Sequence, residues 1–251
     1  MLDTPLQHFT QDISRAKALV NHAQAVRIEM LRDDILRAAW MMAVGSCDAY
    51  FSDAYADLLS RTIRAKELQP AITLPERLND TKVPVTAIIS EARGGWRWRM
   101  AARALMEKDN VLSLKKIKEL FNLFFRDHHK LLTTETIGDW ICHRNAKSRL
   151  FGLTATEYRA KSPSAKEAAK KQALKQFQEL FKDIFQRRHD CIYNCDRPRI
   201  ALQQISDIAT SKTIENIEFL VTRCHEAFLA EFTTFLTNLG CSGATRNQVC
   251  A

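Results

Sequence analysis

The feature that most constrains this chain is one apolar stripe. Positions 28, 31, 35, 39, 42, 43, 47, 50, 51, 54, 55, 58 and 59 are all apolar and keep a helical period from Ile28 to Ile63. A stripe of that length predicts one long helix, with a bend expected near Gly45, and such a helix needs other helices to cover it. Weaker periodicity over residues 5–23 is compatible with a helix before it. Seven glycines and six prolines in 251 residues are too few for the many tight turns of a β-sandwich or barrel.

The rest of the chain can be read by its breakers. Pro70, Pro75 and Pro84 mark a linker over the first helical layer. Val85 to Leu105, Leu112 to Phe125 and Thr133 to Cys142 read as shorter helices, broken at Gly94-Gly95, Asp109-Asn110 and Gly138. After Ser162-Pro163, Ser164 and Glu167 stand at capping-box spacing before a stripe at Ala169, Ala173, Phe177, Leu180, Phe181, Ile184 and Phe185, predicting a helix to about residue 190. A last stripe from Ile214 to Leu239 stops at Gly240, and the residues from Cys241 onward are expected to fray. The expectation is an all-α fold in a single domain over residues 1–251. Its core helices would lie at about 5–65 and 164–240, with a helical insertion at about 66–160 packed to one side.

A net charge of +8 and a pI near 9.2 suit a protein that binds a polyanion, and RNA is the expected partner. No apolar run approaches 18 residues and the amino-terminal MLDTPLQHFTQD is polar, so neither a membrane nor a secretory signal is expected and the cytoplasm is the expected compartment. Seven cysteines form an odd set scattered through predicted helices, which favours reduced thiols over a disulfide framework. Cys191 and Cys195 have no second pair at zinc-ligand spacing, so no metal or other cofactor is expected.

The densest chemistry lies where the 164–190 helix should end, in Gln186-Arg187-Arg188-His189-Asp190-Cys191-Ile192-Tyr193-Asn194-Cys195-Asp196-Arg197-Pro198. This stretch resembles the motif of the HEPN superfamily, in which an Arg and a polar residue are followed by a His four to six residues beyond the Arg. Its wording, together with the segment Asp33 to Leu59, is similar to the RiboL-PSP branch, and with the last helix the likeness covers roughly half the chain. The resemblance implies an all-helical homodimer in which facing motifs form one composite, metal-independent endoribonuclease site of toxin or antiphage-defence type. The target would be tRNA or mRNA, under control of an antitoxin or regulatory protein.

The chemistry behind such a motif is general. Cleavage of RNA through its own 2'-hydroxyl needs a base for that proton, an acid for the leaving oxygen and a cation on the phosphorane. Arg188 is the candidate phosphate clamp. The motif histidine, however, is replaced here by Tyr193. A phenol ordinarily titrates near pH ~10 and cannot become a cation, so it replaces imidazole poorly as a general base. The chain as it stands is therefore expected to be an impaired enzyme. Two origins are compatible with that tyrosine: a non-catalytic member that keeps the fold to bind RNA or a partner protein, or an active nuclease carrying a disabling change. His and Tyr codons differ by one base, which favours the second. His189 could bring another imidazole to the composite site, or it orients Arg188 or faces solvent.

Supporting candidates follow. Asp190 and Asn194 could hydrogen-bond across a dimer or simply terminate the helix, and Arg187 joins the expected RNA contacts. Asp48, inside the apolar stripe, needs a buried partner that an arginine of the motif could supply. Arg93, Trp96, Arg97, Trp98 and Arg99 interleave cations with indoles, which suits RNA docking through phosphates and stacked bases; the alternative is a core Trp with arginines reaching outward. Lys166, Lys170, Lys171 and Lys175 read as the solvated face of a helix.

Overall fold

The computed structural model describes residues 2–79, 82, 94–106, 111–198 and 201–250, with the backbone alone at 94–96. The regular elements among them are helical, with no strand. The long stripe becomes α2, Glu29–Leu68, a helix of 40 residues that continues through Gly45. At 1.5 Å per residue it is about 60 Å long. Its ends differ: Ile28 and Leu31, the first members of the stripe, are exposed, while from Tyr50 to Leu59 burial extends round most of the helix. Burial on most sides makes the second half of α2 the centre of the bundle, and the small side chains of Ala43, Ala54 and Ala56 let its neighbours come close.

Helix α1, Asp3–Ala25, buries Phe9, Ile13, Ala16, Val20 and Ala23 along one face. Only Val26 to Ile28 separate it from α2, so the two must run antiparallel; Phe9 accordingly meets Tyr50 edge-on at 5.8 Å. After the linker come α3, Glu76–Asn79, and α4, Gly94–Met106; the expected helical start at 85–93 lies outside the described residues. Beyond them α5 (Leu114–Phe121) leads into a 3-10 turn (Asn122–Phe124), followed by α6 (Ile137–Ile141), α7 (Ser148–Phe151) and α8 (Ala155–Arg159). The long helices α9 (Pro163–Tyr193) and α10 (Asp207–Asn238) and the short α11 (Gly243–Cys250) complete the chain.

Two expectations are corrected. The α9 cap is Ser162, whose hydroxyl accepts the Ala165 N–H at 3.4 Å, rather than Ser164 with Glu167. Pro163 explains the shift, because its fixed φ and missing N–H suit the first helical position and place the cap directly before it. The terminal residues are not frayed: α11 buries Thr245 and Val249, and Ser242 N–H donates to the Gln69 side chain at 2.9 Å. The middle region contributes to the same core. Phe121 stacks on Phe228 of α10 at 4.3 Å, Phe124 meets Phe235 at 5.3 Å, and Phe151 stacks on Phe177 of α9 at 5.4 Å. Polar contacts reinforce that union, since Arg126 grips the buried Glu231 carboxylate of α10 at 2.8 and 2.7 Å, with His129 at 3.0 Å.

No helix among the described residues is long and apolar enough to cross a membrane.

Candidate functional site

The last three turns of α9 split the motif between two environments. Successive residues on an α-helix point about 100° apart, so Arg187 and Arg188 cannot share a face. Arg187 turns inward. Its guanidinium donates to Asp196 at 3.0 Å and to the Gln204 carbonyl at 3.0 Å, and lies over the Trp40 ring at 5.0 Å. The same Asp196 oxygen accepts from Arg37 of α2 at 2.8 Å, and Arg37 also donates to the Gln203 carbonyl at 2.9 Å. Asp196 is 0% exposed. Cys195 and Asp196 both hold positive φ, 48° and 57°, which turns the chain back under the helix end and seats that carboxylate between two arginines. The Cys191 thiol is pushed up to about 11, first by burial and then by the Asp196 charge, so it is not a ready nucleophile. Arg187, expected among the RNA contacts, is thus committed to holding the α9 end to α2.

Asp190 and Asn194 belong to the same inner face. The buried Asp190 accepts from Gln186 at 3.0 Å, Asn194 at 3.4 Å and Gln203 at 3.3 Å, so these two residues terminate α9 within the protomer.

Arg188, His189 and Tyr193 turn the other way, into a cleft with a volume of about 790 Å³. One wall is α9, where Lys182, Gln186, His189 and Tyr193 recur at spacings of four, three and four and therefore form a single helical stripe. The other wall is the start of α5, with Leu112, Ser113, Lys115 and Lys118, and Leu132 beside it. α5 is held there by burial of Leu114, Ile117 and Phe121 and by its cap, the Ser113 hydroxyl accepting the Lys116 N–H at 3.0 Å. Its opposite side leaves Lys118 exposed to the cleft.

The electrostatics of this cleft are one-sided. Among the described residues its charged lining is Lys115, Lys118, Lys182 and Arg188, with no Asp or Glu. Three smaller clefts each include a carboxylate: Asp57 in one, Asp207 in the second, Glu215 and Glu218 in the third. Behind the cleft, Asp48 of α2 accepts the Val111 N–H at 3.3 Å and feels the Arg188 charge. Burial nonetheless holds its carboxyl above the ordinary aspartate range, against the lowering effect of Arg188 and Val111. The hydrogen-bond partner of Asp48 is thus a backbone N–H, while Arg188 acts on it through its charge alone.

Tyr193 closes α9 and is 71% exposed, its ring centre 4.5 Å from that of His189 one turn earlier. His189 is itself exposed, so an imidazole, a phenol and a guanidinium all reach the same solvent-accessible space. The arrangement can hold phosphate oxygens on the cations and present an imidazole to a nearby hydroxyl.

The arginine and tryptophan segment is placed differently. Arg93 and the Trp96 side chain lie outside the described residues. Arg97 and the Trp98 indole, the latter at 3.2 Å, both donate to Glu67 of α2; Arg99 lies 3.9 Å from Asp57 and Arg103 3.1 Å from Asp53. These cations fasten α4 to α2, in place of the RNA docking surface or outward-reaching arginines expected from the sequence. Conversely, Lys115, Lys118 and Lys182 were not singled out in the sequence. The available signal was the continuation of the α9 polar face through Lys182 to the motif; nothing local linked that face to α5.

No protein-family model, curated protein or solved structure matches this chain.

Proposed function

We propose that the chain is an RNA-directed protein of HEPN type whose α9–α5 cleft receives the sugar-phosphate backbone, and that its endoribonuclease chemistry is impaired by Tyr193. The observation carrying this reading is the convergence of Arg188, His189 and Tyr193 on a cleft whose charged lining, among the described residues, is cationic. Arg188 holds the scissile phosphate, and the position of Tyr193 is where an imidazole would move the proton of the 2'-hydroxyl or of the leaving oxygen. His189 lies one turn away and reaches the same space. Attack by the 2'-oxygen on phosphorus expels the 5'-oxygen, leaving a 2',3'-cyclic phosphate and a 5'-hydroxyl. A second copy would bring its own Arg188 and position 193 to the exposed mouth of the cleft, completing the composite site of a homodimer. Toxicity, and restraint by an antitoxin or regulatory protein, belong to the same reading.

The test is RNA cleavage in excess chelator by the chain as it stands, by Tyr193→His, and by Tyr193→His with Arg188→Ala. The expected outcome is cleavage by the single variant alone, with cyclic-phosphate ends. Silence in all three overturns the nuclease reading. A second reading, a non-catalytic RNA-binding module, is favoured by the exposed Tyr193 ring beside His189, which is better suited to hold a base than to move a proton.

A further inference from the structure

The lining of the cleft specifies the form of nucleic acid it takes. Lys118 of α5 and Lys182 of α9 stand on opposite walls, with Arg188 nearer the motif end; among the described residues none of the three has a side-chain hydrogen bond or ion pair, and Arg188 feels only the charge of Asp48 behind the cleft. Cations facing one another across a cleft repel unless an anion lies between them, and a chain of phosphates supplies one at each step. At the end of that row the Tyr193 ring is 71% exposed, braced on His189 at 4.5 Å. An exposed aromatic ring at the end of a cationic track is a stacking surface for a base, and a base offers an uncovered face only when it is not stacked within a duplex. The volume of about 790 Å³ suits a splayed strand of nucleotide-sized units, since ligand clefts commonly span roughly 300–1,000 Å³.

We infer that the cleft is a binding track for single-stranded RNA, in which Lys118, Lys182 and Arg188 hold successive phosphates and Tyr193 stacks on an unpaired base at the motif end. The inference rests on the RNA reading above and deepens it, but it concerns binding and not cleavage. Tyr193, a poor substitute for a catalytic imidazole, thereby has a positive role as the stacking residue that selects unpaired RNA. The fold supports this role: the buried Asp196, in the turn that follows α9, anchors the chain shortly after Tyr193 and leaves the ring exposed at the cleft rim.

The experiment is fluorescence anisotropy of the full chain, in chelator, with a labelled single-stranded RNA and with the same strand in a duplex, over a range of salt. Single-stranded RNA is expected to bind at least tenfold more tightly than duplex. Lys118→Ala with Lys182→Ala should weaken binding and reduce the log-affinity against log-salt slope by about 1.4, as two lost phosphate contacts on a single strand require. Tyr193→Ala should weaken single-strand binding roughly five- to a hundredfold without changing that slope, and Tyr193→Phe should retain it. Lys171→Ala with Lys175→Ala, on α9 outside the cleft, serves as the charge control. All these side chains are exposed, so thermal melting should stay unchanged. Equal affinity for duplex, an inert Tyr193→Ala, or a cleft double variant no weaker than the control would each overturn the inference. Cleavage by Tyr193→His without single-strand preference would sink this inference and leave the nuclease reading. Selective binding without cleavage by any variant would do the reverse.

Discussion

Arg187 and Arg188 follow one another on α9, yet one is held among buried partners and the other lines an open cleft. The inner face spends its charge on structure. Arg37 and Arg187 share the buried Asp196 carboxylate, Arg37 also reaches Asp34 at 3.1 Å, and the carbonyls of Gln203 and Gln204 accept further guanidinium donors. The outer face gathers cations that, among the described residues, have few carboxylates near them: Lys115 lies 3.9 Å from Glu119, and Arg188 feels the charge of Asp48. The difference teaches that a dense charge run at a helix end is two features, and that burial, not residue type, decides which arginine is free to meet a ligand.

The comparison can be broken most forcefully at Asp196. Asp196→Ala removes the carboxylate shared by two largely buried guanidinium groups, leaving Arg37 only the exposed Asp34, and should cost about 3–5 kcal/mol in urea unfolding. Little change would show that the inner network is not what holds the α9 end. Next come the adjacent arginines. Arg187→Ala should cost about 1.5–3 kcal/mol through the lost charged hydrogen bonds. Arg188→Ala should cost less than about 1 kcal/mol, the range of a solvent-screened charge, while weakening RNA binding. Equal stability losses from the two would erase the distinction between the faces.

The smallest effect concerns Asp48, which sits between the α2 core and Arg188. Its folded pKa is raised, chiefly by burial. A raised folded value favours the protonated form, so this group supports the fold at acid pH and the support is lost as pH rises through the folded value. Asp48→Asn, which keeps an acceptor for the Val111 N–H, should therefore stabilise the chain modestly at pH 7, with the gain vanishing below the ordinary aspartate value of 3.8. Unfolding curves at pH 7 and pH 3 measure it. A loss of stability at pH 7 would mean that the Arg188 charge outweighs burial and that the two faces are more closely coupled than the geometry implies.

Much of the frame could be read from residue order. The α2, α9 and α10 stripes were all visible, because a helix that must bury one side repeats its apolar residues every three or four positions. The middle region was less legible. Phe121, Phe124 and Phe151 look like the cores of short local helices, and only their partners Phe228, Phe235 and Phe177, distant in sequence, make them part of one interior. The site was half legible. Arg188, His189 and Tyr193 stood out by composition, but Arg97 and Arg99 were equally prominent and are engaged with Glu67 and Asp57.

By itself the sequence determined that this chain is all-α, where its long helices run, and that one helix end concentrates the chemistry, since period and capping act over a few residues. Tertiary structure alone decided that Arg187 is buried and Arg188 lines the cleft. It also brought Lys118 of α5 opposite Lys182 of α9 across one cleft. Those are contacts between segments far apart in the chain, set by how the helices pack, and no local pattern of residues encodes them.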